Sequence, residues 1–145
     1  MKPLRIYVCL ITEYSEDSLW HQQFTYTLRK MGHTVLFPPQ VGILEAWYIT
    51  RGGLYKHTCQ KRVTENILED VKNRHKQDGI DLFFCSMFPC QFTPELFNGL
   101  TDLGIPSVYF FCDNFAHKEV AEKFAPYVTL NWVPEKNAQG QFKAS

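Results

Sequence analysis

Short apolar runs alternate with amphipathic stretches along this chain. Five runs rich in β-branched and aromatic residues predict strands, at 5–11, 33–37, 80–85, 107–112 and 127–132. Apolar positions at helical spacing between the runs predict helices over 15–31, 55–77, 93–103 and 117–124. The first run, RIYVCLI, is apolar at consecutive positions, which is typical of a parallel strand buried on both faces. The alternation predicts an α/β three-layer sandwich, a Rossmann-like or flavodoxin-like parallel sheet of about five strands with helices on both faces.

Turn residues separate these predicted elements. Glycines 32, 79 and 104 follow predicted helices and suit their C-terminal caps. Thr93 is the predicted N-cap of the third helix, with Pro94 at its first position. A long irregular connection covers 38–54, with a short helix predicted at 44–49, and connections of this length are often functional. We expect one Rossmann-like domain over 1–133, followed by a polar helix start or tail over 134–145.

Composition excludes several classes of protein. With 145 residues, of which 45% are hydrophobic, the chain is long enough to form a core. Fifteen basic residues balance fifteen acidic ones, so binding to nucleic acid through bulk charge is not expected. No apolar run approaches 18 residues and no signal peptide is recognisable, so we expect no transmembrane segment and a cytoplasmic location. The five cysteines are odd in number and mostly lie in apolar runs, which indicates reduced thiols.

Motifs for cofactors and metals are missing. The turn from Thr12 to Ser18 contains no glycine, so the dinucleotide fingerprint G-x-G-x-x-G is absent, and no Walker A motif occurs. Cys85 and Cys90 have four residues between them and no neighbouring histidine, a spacing that does not favour zinc. We therefore expect neither a cofactor nor a metal on this chain.

Polar residues follow the predicted strands at the edge where open α/β sheets bind ligands. Glu13, Ser86, Asp113 and Asn114 lie there and are the candidate substrate-binding residues. The carboxylates of Glu13 and Asp113 are suited to accept hydrogen bonds from a sugar or to act as a base. The alternatives are that Glu13 is solvated and that Asp113 caps the helix after it, and no catalytic residue is assigned.

Two further features have both a functional and a structural interpretation. His21 and His117 are predicted near the same edge, either as site residues or as surface residues of helices. The helix from Lys56 to Lys76 carries six basic and three acidic residues, the composition of a solvated helix face. Residues 79–115 contain four acidic residues and no lysine or arginine, so this stretch has no cation for a phosphate.

Two stretches together resemble a known family. The passage LRKMGHTV at 28–35 resembles the passage from the first helix to the second strand in GT-B glycosyltransferases. The passages GIDL at 79–82, PEL at 94–96 and GIPSVYFFCDN at 104–114 are similar to the N-terminal half of the spore maturation glycosyltransferase-like proteins. In that group an acidic residue after the fourth strand lies in the interdomain cleft, and Asp113 matches its position.

The resemblance implies an N-terminal, acceptor-side domain of a glycosyltransferase. A C-terminal domain of the same polypeptide would then bind the nucleotide-sugar donor, and the acceptor would be a sugar or another hydroxyl compound. The loop at 12–15 lacks the family's small residues, and 145 residues leave no room for a second domain. We therefore expect a fragment of a longer enzyme that is inactive by itself. The alternative is a stand-alone flavodoxin-like module that binds a small molecule or a protein.

Overall fold

A computed structural model describes residues 2–10, 19–39, 56–111 and 122–134. Five strands form one sheet: β1 (Arg5–Leu10), β2 (Thr34–Leu36), β3 (Leu82–Ser86), β4 (Ser107–Phe110) and β5 (Leu130–Trp132). Every neighbouring pair is parallel, and the strand order is β2-β1-β3-β4-β5. The prediction of an α/β fold with a five-stranded parallel sheet is confirmed. This order places the topological switch point of the sheet between β1 and β3.

The helical segments differ in part from the prediction. A π-helical segment, His21–Tyr26, continues directly as α1 (Thr27–Lys30), where the sequence predicted one regular α-helix. Two adjacent rows of side chains from this helical stretch, Trp20 with Phe24 and His21 with Thr25, are buried at least in part. The other segments are α2 (Lys56–Asp78), α3 (Glu95–Asp102) and a 3-10 turn, Ala125–Tyr127.

Alternating strand residues form two hydrophobic clusters. One cluster joins odd-numbered residues of β1, β3 and β4 to buried residues of α2 and α3; it includes Tyr7, Cys9, Phe83, Cys85, Tyr109, Val63, Ile67, Val71, Leu96, Phe97 and Leu100. The other joins even-numbered strand residues to the first helical segment; it includes Ile6, Val8, Leu10, Phe84, Trp20, Phe24 and Leu28. Because side chains alternate along a strand, the two clusters lie on opposite sides of the sheet.

Two boundaries in the second half of the chain correct the prediction. The fifth strand was predicted over 127–132, but only Leu130–Trp132 pairs with β4. Tyr127 belongs instead to the preceding 3-10 turn, which Pro126 favours because its fixed φ and missing N–H suit a turn better than a ladder. The predicted N-cap Thr93 is also wrong. No side chain caps α3, and the Thr93 hydroxyl instead lies 3.2 Å from the hydroxyl of Thr64 on α2.

Two of the predicted helix-ending glycines are confirmed. Gly32 and Gly79 end their helices with φ of 89° and 77°, a left-handed conformation that favours glycine. The predicted short helix at 44–49, residues 112–121 and the tail from 135 onwards lie outside the described residues. Four cysteines (Cys9, Cys59, Cys85 and Cys90) are free thiols, and Cys112 lies outside the described ranges. Within those ranges, no helix has the length and apolar character needed to cross a membrane.

Candidate functional site

Ser86 ends β3 at the switch point of the sheet. It pairs in register with Leu10, the last residue of β1, and doubly wound sheets bind ligands in the crevice beyond these strand ends. The Ser86 side chain is fully buried, and its Oγ has no hydrogen-bond partner within the described part of the chain. Leaving a hydroxyl buried and unpaired costs about 1–3 kcal/mol, so this position calls for an explanation beyond packing.

The register of the sheet relates Ser86 to the first helical segment. Phe84, two residues earlier on β3, packs against Phe24 with ring centroids 4.8 Å apart, so alternation places Ser86 on that same side. Cys85 pairs with Tyr109, which puts Ser86 at the level of Phe110. The Trp20 ring lies 5.9 Å from the Phe110 ring. Ser86 and the start of the helical segment therefore lie at one level of the sheet.

His21 and Thr25 contribute two further buried polar atoms on this side. The Nδ1 of His21 and the Oγ1 of Thr25 are both buried, and neither has a hydrogen-bond partner among the residues described. The His21 ring lies 5.7 Å from that of Phe37, which follows β2, so the histidine covers the β1–β2 side of the crevice. His21 is half-buried rather than a surface helix residue. We group His21, Thr25 and Ser86 under the name switch-point cluster, because each has a buried polar atom without a described partner on this side of the sheet.

The chain that follows Ser86 is held by hydrogen bonds. Tyr109 donates its hydroxyl proton to the carbonyl oxygen of Met87 at 2.6 Å, within the core. The backbone N–H of Phe88 donates to Oε1 of the buried Gln91 at 2.8 Å. These bonds hold the backbone of Met87 and Phe88, directly after Ser86, in place. Sequence reasoning missed Gln91, because a glutamine in a loop is ordinarily exposed.

The chemistry of the cluster suits a ligand with hydroxyl groups. Serine and threonine hydroxyls both donate and accept hydrogen bonds, and a neutral imidazole does the same through its two nitrogens. None of these three described side chains carries a fixed charge, so their own contacts to a ligand are hydrogen bonds rather than ion pairs.

The other predicted site residues lie elsewhere in the chain. Glu13, Asp113 and Asn114, together with His117, fall outside the described residues, so their roles stay sequence-based predictions. The residues that the structure describes include no group of three or more His, Cys, Asp or Glu able to hold a metal ion. Comparisons of the chain with protein-family models, with curated proteins and with solved structures found no match.

Proposed function

We propose that this chain is the acceptor-side domain of a GT-B glycosyltransferase, and that its switch-point cluster binds a hydroxyl group of the acceptor. The observation that carries the proposal is the buried Ser86 Oγ at the β1–β3 edge, which lacks a partner within the described ranges. A sugar hydroxyl would satisfy this oxygen and offset the cost of its burial. An enzyme that keeps a polar group unpaired for its ligand sacrifices some stability for binding.

The distribution of charged residues in this chain is consistent with the acceptor-binding domain of a GT-B enzyme. A second domain of the same polypeptide would bind the phosphates of the nucleotide sugar, and side chains and a helix dipole of that domain would stabilise the leaving group without a metal. Residues 79–115 contain no lysine or arginine, which suits an acceptor side rather than a donor side. The sequence similarity at 28–35 and 104–114 supports the same assignment.

A binding experiment tests the role of Ser86. The ¹⁵N-labelled chain is titrated with a panel of saccharides and with uridine diphosphate, and the amide signals are followed. We expect the signals of Leu10, His21 and Ser86 to shift with at least one saccharide and not with the nucleotide. Ser86→Ala should weaken that binding about tenfold, as loss of one ligand hydrogen bond does. Ser107→Ala is the matched control. Ser107 is also buried, but it begins β4, whereas Ser86 ends β3, so the two serines lie at opposite edges of the sheet.

Two further outcomes bear on the enzymatic part of the proposal. The chain by itself should release no sugar from any nucleotide sugar, because the scheme assigns donor binding to a second domain. Clear turnover would contradict that scheme. Asp113→Asn keeps the capping ability of the side chain but removes its charge. If Asp113 contacts the acceptor, this variant weakens saccharide binding while the melting temperature stays the same.

A stand-alone flavodoxin-like binding module is the second candidate function. The order β2-β1-β3-β4-β5 of the described strands favours it, because flavodoxin-like sheets have this order and bind a flavin mononucleotide at the same switch point. Adding flavin mononucleotide to the titration separates the two candidates. Shifts at Leu10 and Ser86 with the flavin, and none with saccharides, would favour the module.

A further inference from the structure

A separate cleft lies between the turn after β2 and the helix α2. Its volume is about 240 Å³, and its lining consists of Pro38, Pro39, Asn66, Ile67, Glu69, Asp70 and Asn73. The helix α2 packs against the cluster of odd-numbered strand residues, whereas Ser86 lies on the other side of the sheet. The cleft is therefore distinct from the switch-point cluster.

Asp70 is fixed in this cleft with one carboxylate oxygen still available. The Tyr7 hydroxyl donates to Oδ2 at 2.7 Å, and the Arg74 Nε donates to the same oxygen at 2.8 Å. The side chain is only 19% exposed. Oδ1 accepts no hydrogen bond from any residue that the structure describes. Two donors on a single oxygen hold the carboxylate in one orientation, so a ligand that binds Oδ1 meets an acceptor already in place.

Three more polar side chains line the cleft from the same face of α2. Asn66, Glu69 and Asn73 are spaced by three and four residues, which aligns them along the helix. In the described part of the chain none of the three makes a hydrogen bond or an ion pair. Each amide offers both donors and an acceptor, and Glu69 offers two further acceptor oxygens. Opposite them, Pro38 and Pro39 present apolar surface.

We propose that this cleft binds a polyhydroxylated ring of monosaccharide size. Its hydroxyl groups donate to Asp70 Oδ1 and to Glu69, and the two asparagines donate to and accept from the neighbouring hydroxyls. The ring carbons lie against Pro38 and Pro39. A volume of about 240 Å³ is below the range of roughly 300–1,000 Å³ for drug-sized ligands and fits one ring. Two carboxylates on the lining disfavour phosphorylated ligands by like-charge repulsion. This site does not depend on the proposed glycosyl transfer.

The test is a titration of the ¹⁵N-labelled chain with the neutral methyl glycosides of glucose, galactose, mannose and N-acetylglucosamine. Butylammonium and inorganic phosphate serve as charged probes. We expect the side-chain amide signals of Asn66 and Asn73 to shift with at least one glycoside and not with phosphate. Glu69→Gln keeps the shape but removes the charge, and should weaken that binding about tenfold.

The matched control is Glu65→Gln, one turn earlier on α2. Glu65 is also exposed, lies outside the cleft lining and approaches Lys61 at 3.8 Å, so its replacement should leave the affinity unchanged. Asn73→Ala gives a second cleft variant that breaks no hydrogen bond to the described residues.

Three outcomes would overturn the proposal. These are unshifted Asn66 and Asn73 signals with every glycoside, a shift with butylammonium alone, and equal weakening by Glu65→Gln and Glu69→Gln. Ser86→Ala should leave binding in the cleft unchanged. The Asn66 and Asn73 signals test the cleft, and the Leu10, His21 and Ser86 signals test the switch-point cluster, so failure of one proposal is distinguished from failure of the other.

Discussion

Replacing Ser86 with alanine should stabilise this protein, whereas the same replacement at Ser107 should destabilise it. Both serines are buried in neighbouring strands, at 0% and 3% exposure. They differ in their partners. The Ser107 Oγ accepts the backbone N–H of Thr129 at 3.2 Å, and the Ser86 Oγ has no partner among the residues the structure describes.

The expected magnitudes follow from these contacts. Ser107→Ala leaves the N–H of Thr129 without its acceptor, but Thr129 is exposed, so water replaces the lost oxygen and the cost is about 1 kcal/mol. Ser86→Ala removes a buried hydroxyl that has no described partner, which should raise the free energy of unfolding by about 1 kcal/mol or more. The two variants should therefore differ by about 2 kcal/mol in the free energy of unfolding. For a chain of this size, that difference corresponds to roughly 4–8 °C in melting temperature.

Thermal melts and urea titrations of the two variants and the parent chain measure this difference. The m-values should be equal, so that a shift in the midpoint reports stability alone. If Ser86→Ala lowers the melting temperature as much as Ser107→Ala does, the Ser86 hydroxyl has a partner in the folded protein. The reasoning that makes it a ligand-binding group would then be refuted.

Two other predictions concern the opposite side of the sheet. Tyr7→Phe should lower the free energy of unfolding by about 1.5 kcal/mol, since it removes a 2.7 Å hydrogen bond to the Asp70 carboxylate. In the same urea titration, Tyr127→Phe at an exposed position should change the stability little. Burial, reinforced by the nearby Cys85 thiol and the Asp70 carboxylate, raises the pKa of the Cys9 thiol. Above a pH of about 8.5 the unfolded chain loses this proton while the folded protein keeps it, so the free energy of unfolding should fall by up to about 1.4 kcal/mol per pH unit. Cys9→Ala should show a smaller fall over the same pH range.

The sheet was predictable because its signals are local. A run such as RIYVCLI at 5–11 specifies a strand buried on both faces wherever it lies in the sheet. The turn glycines are equally local, since a left-handed residue at a helix end favours glycine in any fold. Ser86 was a candidate for the same reason, because a polar residue directly after a buried strand emerges at the carboxyl edge.

Tertiary structure alone decided the rest, because those features depend on residues far apart in the chain. Tyr7 and Asp70 are 63 positions apart in the chain. In the sequence alone, Asp70 belongs to a charged stretch with the composition of a solvated helix face. The Thr93 hydroxyl was predicted to cap its own helix and instead bonds to Thr64 across 29 residues. Thr25 gives no sequence signal, because threonine is ordinarily exposed and its burial depends on how the helical segment packs on the sheet. Local patterns specify which segments are strands and helices, while the partner of each polar side chain is set only when those segments pack.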